Sequence, residues 1–131
     1  MEKPYLRQLQ EQRELREKAN EALSLMGKRV QAFRDALSSY LIPEEGIEKY
    51  VGKFTRRREE IVNLYIARRV ESSKDYLGDA AGILVELGVL DSAVPGELNL
   101  EGRTVLEREY LRDMMRANIE LLQEASAEYL Q

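Results

Sequence analysis

The side chains best suited to chemistry gather in one stretch. Lys53-Phe54-Thr55-Arg56-Arg57-Arg58-Glu59-Glu60 is followed a few helical turns later by Ala67-Arg68-Arg69. Arginine suits phosphate and carboxylate because its planar guanidinium presents parallel N–H groups that bind two oxygens at once. With Lys49, Tyr50 and Tyr65 close in sequence, Lys53, Arg56, Arg57, Arg58, Arg68 and Arg69 form a candidate anion or nucleic-acid contact. On a helix these cations fall on nearly every side, and Glu48, Glu59, Glu60 and Glu71 dilute them. Ion pairing with Glu107, Glu109, Asp113 and Glu120 accounts for the same residues and is the expected state, so nucleic acid is the less favoured partner.

Arg58 and Arg69 stand apart because they fall on the apolar stripe of their segment. A buried guanidinium left uncompensated costs several kcal/mol, so each needs a partner. A carboxylate from another helix, or a rim position reached by the long side chain, is the expected answer. An anionic substrate, or a carboxylate of a partner protein, is the sharper one.

Other chemistries find no support. His and Cys are both absent, which removes the commonest general base, thiolate nucleophiles and the usual transition-metal ligands. Glu44/Glu45 and Glu59/Glu60 are sequence neighbours and point about 100° apart on a helix, so neither pair makes a catalytic dyad. Met26-Gly27-Lys28 lacks the preceding glycine of a P-loop, and no Gly-x-Gly-x-x-Gly or Asp-rich calcium loop occurs. No catalytic, cofactor-binding or metal-ligating residue is therefore assigned, and no cofactor is expected. Leu15-Arg16-Glu17-Lys18 followed by Leu25-Met26-Gly27-Lys28-Arg29 resembles, over about fifteen residues, the first helix of the helical chorismate mutases. That resemblance implies an intertwined helical dimer that binds a dicarboxylate with Arg and Lys. The chain departs from it in a shorter spacing and in Ala19, Asn20 and Ala22 where the family carries acids, so membership is not assigned.

The elements that position these residues are helices. Leu15, Ala19, Ala22, Met26, Val30, Phe33, Leu37 and Tyr40 recur at steps of three and four, and the pattern predicts a helix over 3–41, with Pro4 in its first turn. Ile42-Pro43-Glu44-Glu45 ends it and opens the next, with acids at the positive end of the new dipole. Ile47, Val51, Phe54, Arg58, Ile61, Tyr65 and Arg69 continue a second stripe, predicting a helix over 44–76 and an antiparallel hairpin with the first. Between Gly78 and Gly88 an almost wholly apolar segment predicts a short buried helix over 79–87, closed by Gly88 in a Schellman turn. Residues 91–102 carry Pro-Gly and Asn-x-x-Gly turn signals and read as a loop. Thr104-Val105-Leu106-Glu107 matches a capping box opening a last helix over 104–130.

The fold class is all-α: a single helical domain spanning 1–131, built on the long hairpin. With 131 residues, 44% apolar and 34% charged side chains, the chain is more charged than an average globular protein, as exposed helix faces require. Charge is unevenly spread. Residues 1–46 carry eight basic and eight acidic side chains, residues 47–74 eight and four, and residues 75–131 four and twelve. No run of about eighteen apolar residues or secretory leader is present, so no membrane partner is expected and a cytoplasmic location is.

Length adds a constraint. A compact chain of this size is about 36 Å across, whereas the first two predicted helices would be about 58 Å and about 50 Å long. They break at Gly27 and Gly52, or a second chain covers their ends. Sustained heptad-like spacing favours cover, with Leu15, Met26, Val30, Phe33 and Leu37 as the oligomer interface and a homodimer as the default. The expected function is a non-enzymatic protein–protein interaction module: an adaptor, assembly factor, chaperone-like protein or structural subunit that binds itself and an unidentified protein. The alternatives are nucleic-acid binding through the second helix and a small helical enzyme with an Arg-lined anion site.

Overall fold

The computed structural model describes residues 4–72, 80–91 and 100–130, and within these it leaves the side chains of 15, 19, 22, 23, 25, 26, 80 and 81 undescribed. Four helices occur among the described residues: α1 (Pro4–Ser39), α2 (Glu44–Ser72), α3 (Ala80–Asp91) and α4 (Val105–Tyr129). The molecule is all-helical there, with no strand. Neither Gly27 nor Gly52 breaks its helix, and a Cβ at either position would meet nothing within 4 Å. At 36 residues, α1 is about 54 Å long.

The turn after α1 shows how local chemistry sets the next helix. Ile42 N–H donates to Leu37 O (3.2 Å) and Leu41 N–H to Ser38 O (3.0 Å), the paired bonds of a Schellman closure. Leu37 and Ile42 bury together beneath it. That closure needs a left-handed residue, and Leu41 supplies it at φ 63° although glycine is the residue that adopts this conformation without strain. Pro43 O then accepts from Gly46 and Ile47, and Glu44 and Glu45 occupy the first turn of α2. Gly46 is required for a different reason: a Cβ there would sit 2.7 Å from the Tyr129 ring, so its absence lets the end of α4 close on the start of α2.

Two apolar clusters fill the interior. The first joins Phe33 and Leu37 of α1 to Ile42, Ile47, Tyr50 and Phe54, and to Leu121 and Ala125 of α4. Phe33 and Phe54 stack at its centre, ring centroids 4.3 Å apart. The second joins Ile61, Val62 and Tyr65 of α2 to Ile83, Leu87 and Leu90 of α3 and to Tyr110 and Ala117 of α4. Met114 packs against both. Phe33 and Leu37, expected at an oligomer interface, are 2% and 0% exposed and belong to the chain's own core, with Val30 packed beside them. The stripe continues inward because α2 and α4 offer it a nearer apolar partner than a second chain can. The side chains of Leu15 and Met26 lie outside the described residues.

The short helix differs from expectation. It does not end at Gly88 but runs on to Asp91, with Gly88 buried inside it. One more turn brings Leu90 to 2% exposure and Asp91 to 7%. Burying a leucine is worth about 1.5–3 kcal/mol, more than the roughly 1 kcal/mol that an interior glycine costs a helix. The expected end of α2 at 76, the start of the short helix at 79 and most of the loop over 91–102 lie outside the described residues. At the loop's end Gly102 takes φ +72° in a turn in which Arg103 N–H donates to Leu100 O (3.3 Å). Thr104 then caps α4, its side chain accepting from the Glu107 N–H.

Leu41 is 81% exposed, so replacing it forfeits no packing. The left-handed strain costs a non-glycine residue about 1–2 kcal/mol, while glycine gives back roughly 0.5–1 kcal/mol through the unfolded chain. Leu41→Gly is therefore expected to stabilise the fold by about 0.5–1 kcal/mol, read as a rise in the urea unfolding midpoint at unchanged slope.

Candidate functional site

The basic residues of α2 meet acids at nearly every turn. Lys49 Nζ lies 2.6 Å from Glu128, Lys53 Nζ 3.9 Å from Glu124, Arg57 2.9 Å from Glu120 and Arg68 2.5 Å from Glu109. Each step up α2 is matched by the same step down α4, so one antiparallel register holds from Lys49 to Arg68. These side chains are roughly 40–55% exposed, and such pairs contribute at most about 1 kcal/mol apiece. Their joint effect is to fix which residue faces which. Glu109 and Glu120 are two of the acids anticipated from the sequence. Glu107 instead pairs within its own helix turn with Arg103 (3.6 Å), and Asp113 borders a shallow groove beside Arg68 and Tyr110.

Arg58 and Arg69 each take a carboxylate from α3. Arg69 holds Glu86 with two bonds, Nε and Nη2 each 3.1 Å from a carboxylate oxygen. Arg58 is 5% exposed, and its Nη2 donates to Asp91 Oδ2 at 2.5 Å. Tyr110 OH donates to the other oxygen of Asp91 at 3.0 Å. Three helices therefore meet on one buried carboxylate. Nη1 of Arg58 has no protein partner there. Burial beside that carboxylate raises the Tyr110 phenol well above its ordinary value and keeps it a donor. Burial, with Glu86 adding to it, pushes Tyr65 up to about 12. Eleven residues separate the two arginines, about 16 Å along the helix. Each holds its own carboxylate: Arg58 is buried on Asp91, whereas Arg69, its side chain 37% exposed, is bound to Glu86 nearer the surface.

A second polar knot lies where the end of α4 meets the start of α2. Glu128 accepts from Tyr50 OH (2.5 Å) as well as from Lys49, and Tyr50 packs edge-on against Tyr129 with centroids 6.4 Å apart. Burial pushes Tyr50 up to about 12, with the bond to Glu128 adding to it, while Lys49 and Tyr50 hold the Glu128 carboxyl below the usual range. Lys53 Nζ sits over the Tyr50 ring, 4.9 Å from its centroid. Among the described residues no cluster of three or more acids is arranged to hold a metal ion.

Of the six cations singled out, Lys53, Arg57, Arg58, Arg68 and Arg69 are thus engaged within the chain, and only Arg56 projects without an ion pair. The unengaged cations lie elsewhere. Arg108, Arg112 and Arg116 are exposed on α4 at steps of four, one face of the helix, and none forms an ion pair among the described residues. Sequence reasoning missed them because residues 75–131 are strongly acidic in sum. The repeated step of four, set against the acids Glu109, Asp113, Glu120 and Glu124, is the signal that a helical projection would have found. The chain matches no family model, and no curated protein or solved structure matches it.

Removing one member of a buried ion pair strands the other, at about 3–5 kcal/mol. Asp91→Ala is accordingly expected to lose about that much stability. The triple variant Arg58→Met/Asp91→Leu/Tyr110→Phe, which removes the whole polar cluster, should lose far less. Chemical denaturation of both variants checks the order.

Proposed function

We propose that the chain is a non-enzymatic helical protein–protein interaction module that acts as a homo-oligomer, in the manner of an adaptor, assembly factor, chaperone-like protein or structural subunit. The observation that carries this is the start of α1. Every residue from Pro4 to Glu14 is exposed, although Tyr5, Leu6 and Leu9 remain 54%, 50% and 56% accessible there. Three helical turns that bury so little of their apolar surface gain little from packing, and isolated helices of that length are marginal in water. A second chain packed against them, extending the α1–α2 hairpin into a coiled coil, supplies the missing burial.

The fate of the α2 cations supports the same choice over nucleic acid. A helix that tracks phosphates needs free Lys and Arg, and here carboxylates of α3 and α4 already occupy five of the six candidates. The enzyme alternative is less favoured because, among the described residues, Arg58 and Arg69 each hold a separate carboxylate of α3. No helix among the described residues is long and apolar enough to cross a membrane, so the exposed leucines of α1 are better suited to protein than to a spanning role.

Light scattering over a range of protein concentrations tests the proposal. The chain should have the mass of a dimer or higher oligomer, and Leu6→Glu/Leu9→Glu should weaken association by roughly tenfold or more. A chain that is monomeric at every concentration contradicts it.

A further inference from the structure

The outer face of α4 carries arginine and exposed apolar side chains together. Arg108, Arg112 and Arg116 rise by about 6 Å per step along it. Val105, Met115 and Ile119 fall within the same arc of about 100° and are 67%, 36% and 47% exposed. That arc contains neither Lys nor Glu. Unpaired arginine interleaved with Met and branched aliphatic side chains is the composition of an interface centre rather than of a solvated face. Nucleic acid fits it less well. Exposed aliphatic groups add nothing along a phosphate backbone, and the acids Glu109, Asp113, Glu120 and Glu124 border the arginines along one edge of the same helix.

The chain carries a complementary face. Glu14, Glu17 and Glu21 step by three and four along α1, on the side turned away from Phe33 and Leu37; all three are exposed and none forms an ion pair. Leu6 and Gln10 extend that face toward the start of the helix and Lys28 beyond Glu21, while Arg13 and Lys18 flank it. The acids span about 10 Å and the arginines of α4 about 12 Å, so the two ladders match in length as well as in sign. Within one chain they serve different sides of the bundle and neither is used.

We propose that α4 of one copy docks on α1 of a second copy, with Arg108, Arg112 and Arg116 set against Glu14, Glu17 and Glu21 and with Val105, Met115 and Ile119 buried between them. This rests on the homo-oligomer proposed above and names the surfaces that build it.

The test uses two charge-reversed full-length chains, R108E/R112E/R116E and E14R/E17R/E21R, whose altered positions are all exposed. Light scattering should show each alone associating about tenfold or more weakly than the parent, because each now presents like charges at the contact. Mixed in equal amounts, they present opposite charges again, and the parent's mass should return. Recovery in the mixture also shows that both variants are folded. Reversed chains that associate like the parent, or a mixture that stays dissociated, overturn the α4–α1 contact while an oligomeric parent leaves the wider proposal standing. A parent monomeric at every concentration removes both.

Discussion

A guanidinium on the apolar stripe of α2 is the constraint around which the bundle is arranged. Arg58 is too deeply placed to reach water, so its charge has to be met inside. Asp91 meets it from the last residue of α3, and Tyr110 of α4 shares the carboxylate. That contact ties the end of α3 to α2 and α4, and the helical turn past Gly88 that carries Asp91 also buries Leu90. The interior holds two apolar clusters, with Met114 packed against both.

Around this buried centre the weaker charges act as a register. The pairs from Lys49–Glu128 to Arg68–Glu109 advance in step along both helices, so sliding α4 by one turn would set each cation against the wrong acid. By gathering its acids on the side facing α2, α4 leaves its arginines on the outer side. Neutralisation within the chain and a charged outer face are therefore two results of one sequence pattern. A further consequence falls on α1. Phe33 and Leu37 are taken into the core, whereas the turns before Glu14 extend beyond what the chain covers by itself.

Much of this was legible from spacing alone. The helical steps of three and four located α1, α2 and α4, and Thr104 with Glu107 marked the start of α4 within a residue. That Arg58 and Arg69 needed partners was also evident, since charge on an apolar stripe has few remedies. Their identities were not, because ending the short helix at Gly88 left Asp91 in a loop. Local propensity favours that end, and only the burial of Leu90 and the capture of Asp91, both tertiary effects, override it. Val30, Phe33 and Leu37 could not be assigned between core and interface by periodicity, which reports that a face is apolar and not what covers it. The arginines of α4 were hidden by counting charge along a segment instead of around a helix.

Carboxylates of α3 and α4 hold most of the α2 cations within the chain, and the proposed association falls to the start of α1 and the outer face of α4. Hydrogen–deuterium exchange of the full chain at low and high concentration addresses it directly, because amides under a forming interface gain protection while buried ones already have it. The account predicts that protection rises with concentration in 4–21 and 105–119 and stays unchanged across 47–69. Protection that rises instead across Lys53 to Arg69, or nowhere, would contradict it.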